Sequence, residues 1–153
     1  MIGKKRIALV VWLLGAVLLA ACSTSHDATK DRGQGMQASA ETATEFGDVN
    51  LPPTAEVLAV DTDAGRDTRY RLAFRTSTAE LPRFLSQFGH RPQASKIPRR
   101  MRVIGGPELS EAPNPLYAQD RVTNKEGQSV TREVIVDERA TDKVYVHLSM
   151  YTT

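Results

Sequence analysis

The chain has a single cysteine among its 153 residues. It can close no intramolecular disulfide, and it has no pair of thiols for a cysteine zinc site. Its stability must come from an ordinary core. Histidine is nearly as scarce, with only His26, His90 and His147. No H-E-x-x-H, G-x-S-x-G or phosphate-loop glycine pattern occurs, so no catalytic or cofactor motif stands out, and no metal site or cofactor is expected. No internal repeat is present. Net charge is also close to absent. The formal +2 includes Lys4, Lys5 and Arg6. Without them seventeen cations face eighteen acids, which gives no global attraction for nucleic acid.

Long apolar runs are lacking too, apart from one at the start. Lys4, Lys5 and Arg6 form a cationic lead with no acid. Residues 7–19 are apolar and uncharged, and the small Ala20 and Ala21 follow. This order is that of a secretory signal peptide. The 15 uncharged residues 7–21 fall short of the ~20 that a spanning helix needs.

The motif Leu19-Ala20-Ala21-Cys22 resembles the lipobox of bacterial lipoproteins. The resemblance covers the first 22 residues. It implies a diacylglyceryl group on the Cys22 thiol, cleavage by signal peptidase II before Cys22, and a chain held by lipid on the extracytoplasmic side of a cell membrane. Two acyl chains make a stable anchor where one binds only marginally. A lipidated Cys22 leaves no free thiol for a Cys–His catalytic pair.

Three divisions are expected: a signal peptide over 1–21, a lipidated cysteine with a flexible linker over 22–50, and one domain over 51–153. The linker is polar and small, with Met36, Phe46 and Val49 as its only sizeable apolar groups. Such a composition buries too little surface to offset its ordering entropy. As a coil it would span roughly 30 Å.

The globular part reads as an α+β domain: a small antiparallel sheet of about five strands with one helix on one face. Residues 57–75 predict a hairpin whose second strand alternates. Tyr70, Leu72 and Phe74 share one face, and Arg69, Arg71, Ala73 and Arg75 the other. Ser77 and Glu80 fit a capping box. Leu81, Phe84, Leu85 and Phe88 form a helical stripe. Gly89 suits a left-handed helix end, and Pro82 pushes the helix start inward. Residues 90–116 are rich in Pro and Gly, with a short strand at 101–104. A meander of three strands closes the chain. In the last, Val144, Val146, Leu148 and Met150 face one way, and Tyr145, His147, Ser149 and Tyr151 the other.

Charge is segregated along the chain. Residues 66–102 hold ten cations and two acids. Arg69, Arg71 and Arg75 share a strand face, while Arg99, Arg100 and Arg102 follow in the loop. Arginine's planar fork recognises carboxylate and phosphate. Arg69, Arg71 and Arg75 are therefore the candidate anion-binding face, for an anionic envelope component or partner protein. The competing reading pairs them across strands with Glu133, Asp137 or Glu138. The expectation is a membrane-anchored envelope lipoprotein with a non-enzymatic binding or accessory module. One alternative is a small hydrolase using His147 with Asp137 or Glu133, which requires a deep pocket around His147. Another is membrane-surface association through the arginine-rich face.

Overall fold

The computed structural model describes Met36 and residues 39–152. The leader, Cys22 and the first part of the expected linker lie outside the described residues.

Residues 39–47 are helical (α1), and this corrects the expected boundary. The linker was expected to run to residue 50, yet Ala40, Ala43 and Val49 are 1%, 0% and 5% exposed in the core. Ala40, Ala43 and Gly47 recur at helical spacing and form a stripe of small residues. That stripe lets the helix backbone lie close to the sheet. A Cβ on Gly47 would stand 2.1 Å from Met150 Sδ. The helix ends with Asp48 in the left-handed region at φ 48°. Asp48 N–H donates to Glu45 O at 3.2 Å and Val49 N–H to Thr44 O at 3.0 Å. This is the Schellman arrangement, which satisfies carbonyls at the helix end.

Six antiparallel strands follow: β1 (Glu56–Ala64), β2 (Thr68–Thr76), β3 (Gln93–Ala94), β4 (Leu116–Thr123), β5 (Ser129–Ala140) and β6 (Lys143–Tyr151). Their order across the sheet is β1-β2-β6-β5-β4-β3. The C-terminal hairpin β5–β6 thus slots between β2 and β4, which puts β5, the longest strand at 12 residues, near the centre. The fold is α+β, as expected. The sixth strand is the two-residue β3, which pairs with Leu116 and Tyr117 at the start of β4.

One sheet face is apolar. Leu72 and Phe74 of β2, Val130, Val134 and Val136 of β5, and Val144, Val146, Leu148 and Met150 of β6 are all 2% exposed or less. Helix α1 and the short α2 (Leu81–Leu85) cover it. Leu81, Phe84 and Phe88 are buried, so the apolar stripe falls where its spacing put it. Its helix is shorter than the pattern suggests. Pro82 sits in the first turn, Glu80 is the N-cap in helical geometry, and no side chain caps it. The Ser77–Glu80 capping box does not form. Gly89 is not left-handed; its N–H donates instead to Asp120 Oδ2 at 2.8 Å.

A buried arginine ties this layer together. Arg132, 2% exposed, holds Asp120 with Nε at 2.8 Å and Nη2 at 2.5 Å. It also donates to Asp48 O at 3.0 Å and Gln87 O at 2.8 Å. Its guanidinium lies 4.7 Å from the Phe88 ring centre. One side chain therefore joins the end of α1, the segment after α2, and strands β4 and β5. Burial works against the Asp120 carboxylate, but the Arg132 bonds and the Gly89 N–H outweigh it and hold its pKa below the usual value.

The second face is covered as well, by the segment 95–115. The expected strand at 101–104 is absent; the segment crosses the sheet as a strap. It leaves β3 at the β4 edge, and Arg100 bonds Glu133 of β5. At Gly105 it reaches β1, where a Cβ would lie 3.0 Å from Ala59 Cβ. Gly106, at φ 87°, passes over Tyr145 of β6, 3.1 Å from where its Cβ would be. Both glycines thus provide close approach, and Gly106 also a backbone conformation that L residues disfavour. A short 3-10 turn at Leu109–Glu111 then returns the chain to β4.

Candidate functional site

The residues singled out from the sequence lie on the face under the strap. Period-two alternation in β2, β5 and β6 brings Arg69, Arg71 and Arg75 onto this face with Glu133, Asp137, His147 and Ser149. The β2–β6 register sets Ala73 opposite His147, Arg71 opposite Ser149 and Arg75 opposite Tyr145.

Each arginine of the candidate anion-binding face has an internal partner. Arg71 bonds Asp61 Oδ2 at 2.8 Å, and its side chain is 9% exposed. Arg75 pairs with Glu56. Arg69 lies 4.2 Å from the centre of the Tyr151 ring. The answering acids come from β1, not from Glu133, Asp137 or Glu138. Asp61 is directly opposite Arg71, and Glu56 opposite Arg75. Part of the signal was present in the hairpin, where Asp61 and Asp63 alternate as Arg69 and Arg71 do; Glu56 meets Arg75 only through the register shift between Val57 and Ala59.

Towards β4, Glu133 is fully buried. Its Oε1 accepts from Arg100 Nη2 at 2.6 Å and from the Tyr117 hydroxyl at 2.8 Å. The Arg100 pKa is raised by this bond and by the carboxylate charge. That of Tyr117 is raised by burial and then by its bond to Glu133. The Glu133 Oε2 atom has no protein partner. Towards the β5–β6 turn, Asp137 Oδ2 accepts from Arg139 Nε at 2.8 Å. Arg139 also donates to Glu108 O at 2.7 Å and lies 3.6 Å from Glu111. Two arginines, Arg100 on the strap and Arg139 on the sheet, therefore latch strap to sheet.

His147 sits between these two groups, opposite Ile135 and 2% exposed. Neither ring nitrogen has a protein partner. Burial pushes its pKa down to about 4, with Asp137 acting the other way and Arg139 adding to the fall. Its imidazole is neutral near pH 7 and has no hydrogen bond to Asp137 or Glu133. His90 lies beyond α2 and is exposed; His26 lies outside the described residues.

Among the described residues, no three His, Cys, Asp or Glu side chains gather as a metal site. No helix among them is long and apolar enough to cross a membrane. The largest cleft described, about 630 Å³, lies beside α2 between Leu81, Pro82, Leu85 and Phe88. Neither it nor the other clefts described is lined by His147. Comparison with protein-family models, characterised proteins and solved structures finds no match to this chain.

Proposed function

We propose that the chain is an envelope lipoprotein, held through lipid on Cys22 to the extracytoplasmic side of a cell membrane, with its α+β domain acting as a non-enzymatic binding or accessory module. The observation that carries this reading is Leu19-Ala20-Ala21-Cys22 behind a cationic and then apolar lead. The domain boundary sharpens it. Only residues 23–38 lie between Cys22 and the helix described over 39–47, and Met36 among them is already helical. Sixteen residues reach at most roughly 55 Å when fully extended. A lipidated Cys22 therefore keeps the domain close to the bilayer.

The state of His147 supports the non-enzymatic part. A general base must come within hydrogen-bond reach of a substrate proton. His147 is sealed under the strap and bonded to neither carboxylate, and Asp137 and Glu133 are engaged by arginines. No contact here favours the hydrolase reading.

The anchor is tested by Cys22→Ala in the native cell with radiolabelled palmitate. Wild type takes up label and loses residues 1–21. The variant takes up none and keeps its leader. Equal labelling of the two overturns the reading.

A further inference from the structure

The chain has no acid between Glu80 and Glu108, and within that stretch lie six cations. The structure divides them. Arg100 turns inward to Glu133. A turn closed by Met101 N–H on Pro98 O at 2.9 Å places Arg99 beside it at the corner. Lys96, Arg99 and Arg102 are exposed. Among the described residues no acid pairs with any of the three. Ile97, Met101 and Val103, partly exposed, alternate with them. Three cations without an acid partner thus cluster on the exposed side of the strap, whereas Arg71 and Arg75 on the strand face are paired with acids of β1.

We infer that the strap's outer surface, centred on Lys96, Arg99 and Arg102, docks the domain on the anionic phospholipid headgroups of the membrane that anchors it. Three features select a bilayer over a small anion or a folded partner. None of the clefts described is lined by these residues, so the three exposed cations offer a spread of charge that suits a planar field better than one enclosed phosphate. The partly exposed apolar side chains between the cations suit the headgroup boundary, where cationic and apolar groups are both accommodated. The segment 23–38 keeps the start of α1 within about 55 Å of Cys22, and the strap lies on the opposite sheet face from α1, so the domain as a whole stays near the headgroups and can turn this surface to them. This inference rests on the lipoprotein reading for that proximity only.

The test uses the unlipidated chain from Ser23 onward, which retains every described residue. Sedimentation with vesicles of phosphatidylcholine is compared with vesicles in which about a third of the lipid is phosphatidylglycerol, at low and high salt. Wild type binds only the anionic vesicles and is released as added salt shortens the Debye length. The triple change Lys96→Gln, Arg99→Gln, Arg102→Gln binds on the order of a hundredfold more weakly, with unchanged thermal unfolding. The control removes three cations at hairpin turns, Arg66→Gln, Lys125→Gln and Lys143→Gln, and retains most of the binding. Equal loss in both triples overturns the inference in favour of net charge. So does indifference of wild type to anionic lipid, including the case in which it binds soluble polyglutamate instead and so prefers an acidic protein. Because no lipid on Cys22 is involved, a failure here is distinct from a failure of palmitate labelling.

Discussion

The two faces of the sheet solve the problem of burying charge differently. Under the helices, Arg132 and Asp120 are almost fully enclosed, and the guanidinium bonds are spread over one carboxylate and main-chain carbonyls of two other segments. Under the strap, Glu133 Oε2, Asp137 Oδ1 and both nitrogens of His147 are buried without protein partners, whereas on the helix side, among the described residues, this is true only of Thr76 Oγ1 at the end of β2. The helix side is closed by rigid elements with apolar side chains. The strap side is closed by a proline- and glycine-rich segment with one regular turn and two arginine latches. Satisfied buried networks rigidify a core, and partly satisfied ones mark where it yields first. The helix side is accordingly the stable half, and the strap side the half that responds to pH and to latch mutations.

The largest effect is expected where the comparison is broken on the helix side. Arg132→Ala leaves Asp120 buried without its counter-charge and frees the ends of α1 and of the segment after α2. It should cost ~3–5 kcal/mol in chemical denaturation, out of a total of ~5–15 kcal/mol for such a domain. The double change Arg132→Met, Asp120→Leu should recover much of this, because it removes both charges together. A single variant within about 0.5 kcal/mol of wild type places the clamp wrongly.

The next effect sharpens the contrast on the strap side. The folded-state pKa of His147 is about 4, against ~6.5 in an unfolded chain. The unfolded state therefore binds the proton first as pH falls. Stability is full above about pH 6.5 and declines through about pH 4, by roughly 3 kcal/mol in all. Denaturation midpoints measured across that window should fall more steeply for wild type than for His147→Gln. Parallel slopes would show that His147 is hydrated or protonated in the fold.

The smallest effect concerns the latch. The Arg100 side chain is half-exposed, but Glu133 is not. Arg100→Gln should cost ~1–2 kcal/mol, since it removes a charge-assisted bond to a buried acceptor. It should also speed proteolytic nicking within 95–115, while β5 and β6 stay intact. Nicking at the wild-type rate would mean that Arg139 and the packing of Gly105 and Gly106 suffice to hold the strap.

Several elements were legible because their signals are local. Alternation in β2 and β6 assigned the faces correctly. The spacing of Leu81, Phe84 and Phe88 identified the buried stripe even though Pro82 and the missing cap shortened its helix. The candidate site was read less well. Arg69, Arg71 and Arg75 do share a face, but their partners lie on β1. The strap was read as a loop, and nothing in its composition says which surface a loop covers.

By itself the sequence determined the periodicities, the hairpin connections and the cationic, apolar and small-residue order ahead of Cys22, because each depends on neighbours a few residues apart. Tertiary structure decided the rest. The helix at 39–47 fully buries only the small Ala40, Ala43 and Gly47, with Phe46 half-buried against Tyr70, and a short helix gains most of its stability from packing rather than propensity. It exists because a sheet carrying Met150 lies close against it. The pairing of β2 with β6, whose partners lie 68 to 82 residues apart in sequence, set His147 beside Ala73 in the sheet interior. The strap's crossing from β4 to β1 sealed it there. Burial and partner choice are properties of elements meeting across the chain, so the same arginine reads as a binding residue in sequence and as half of an ion pair in the fold.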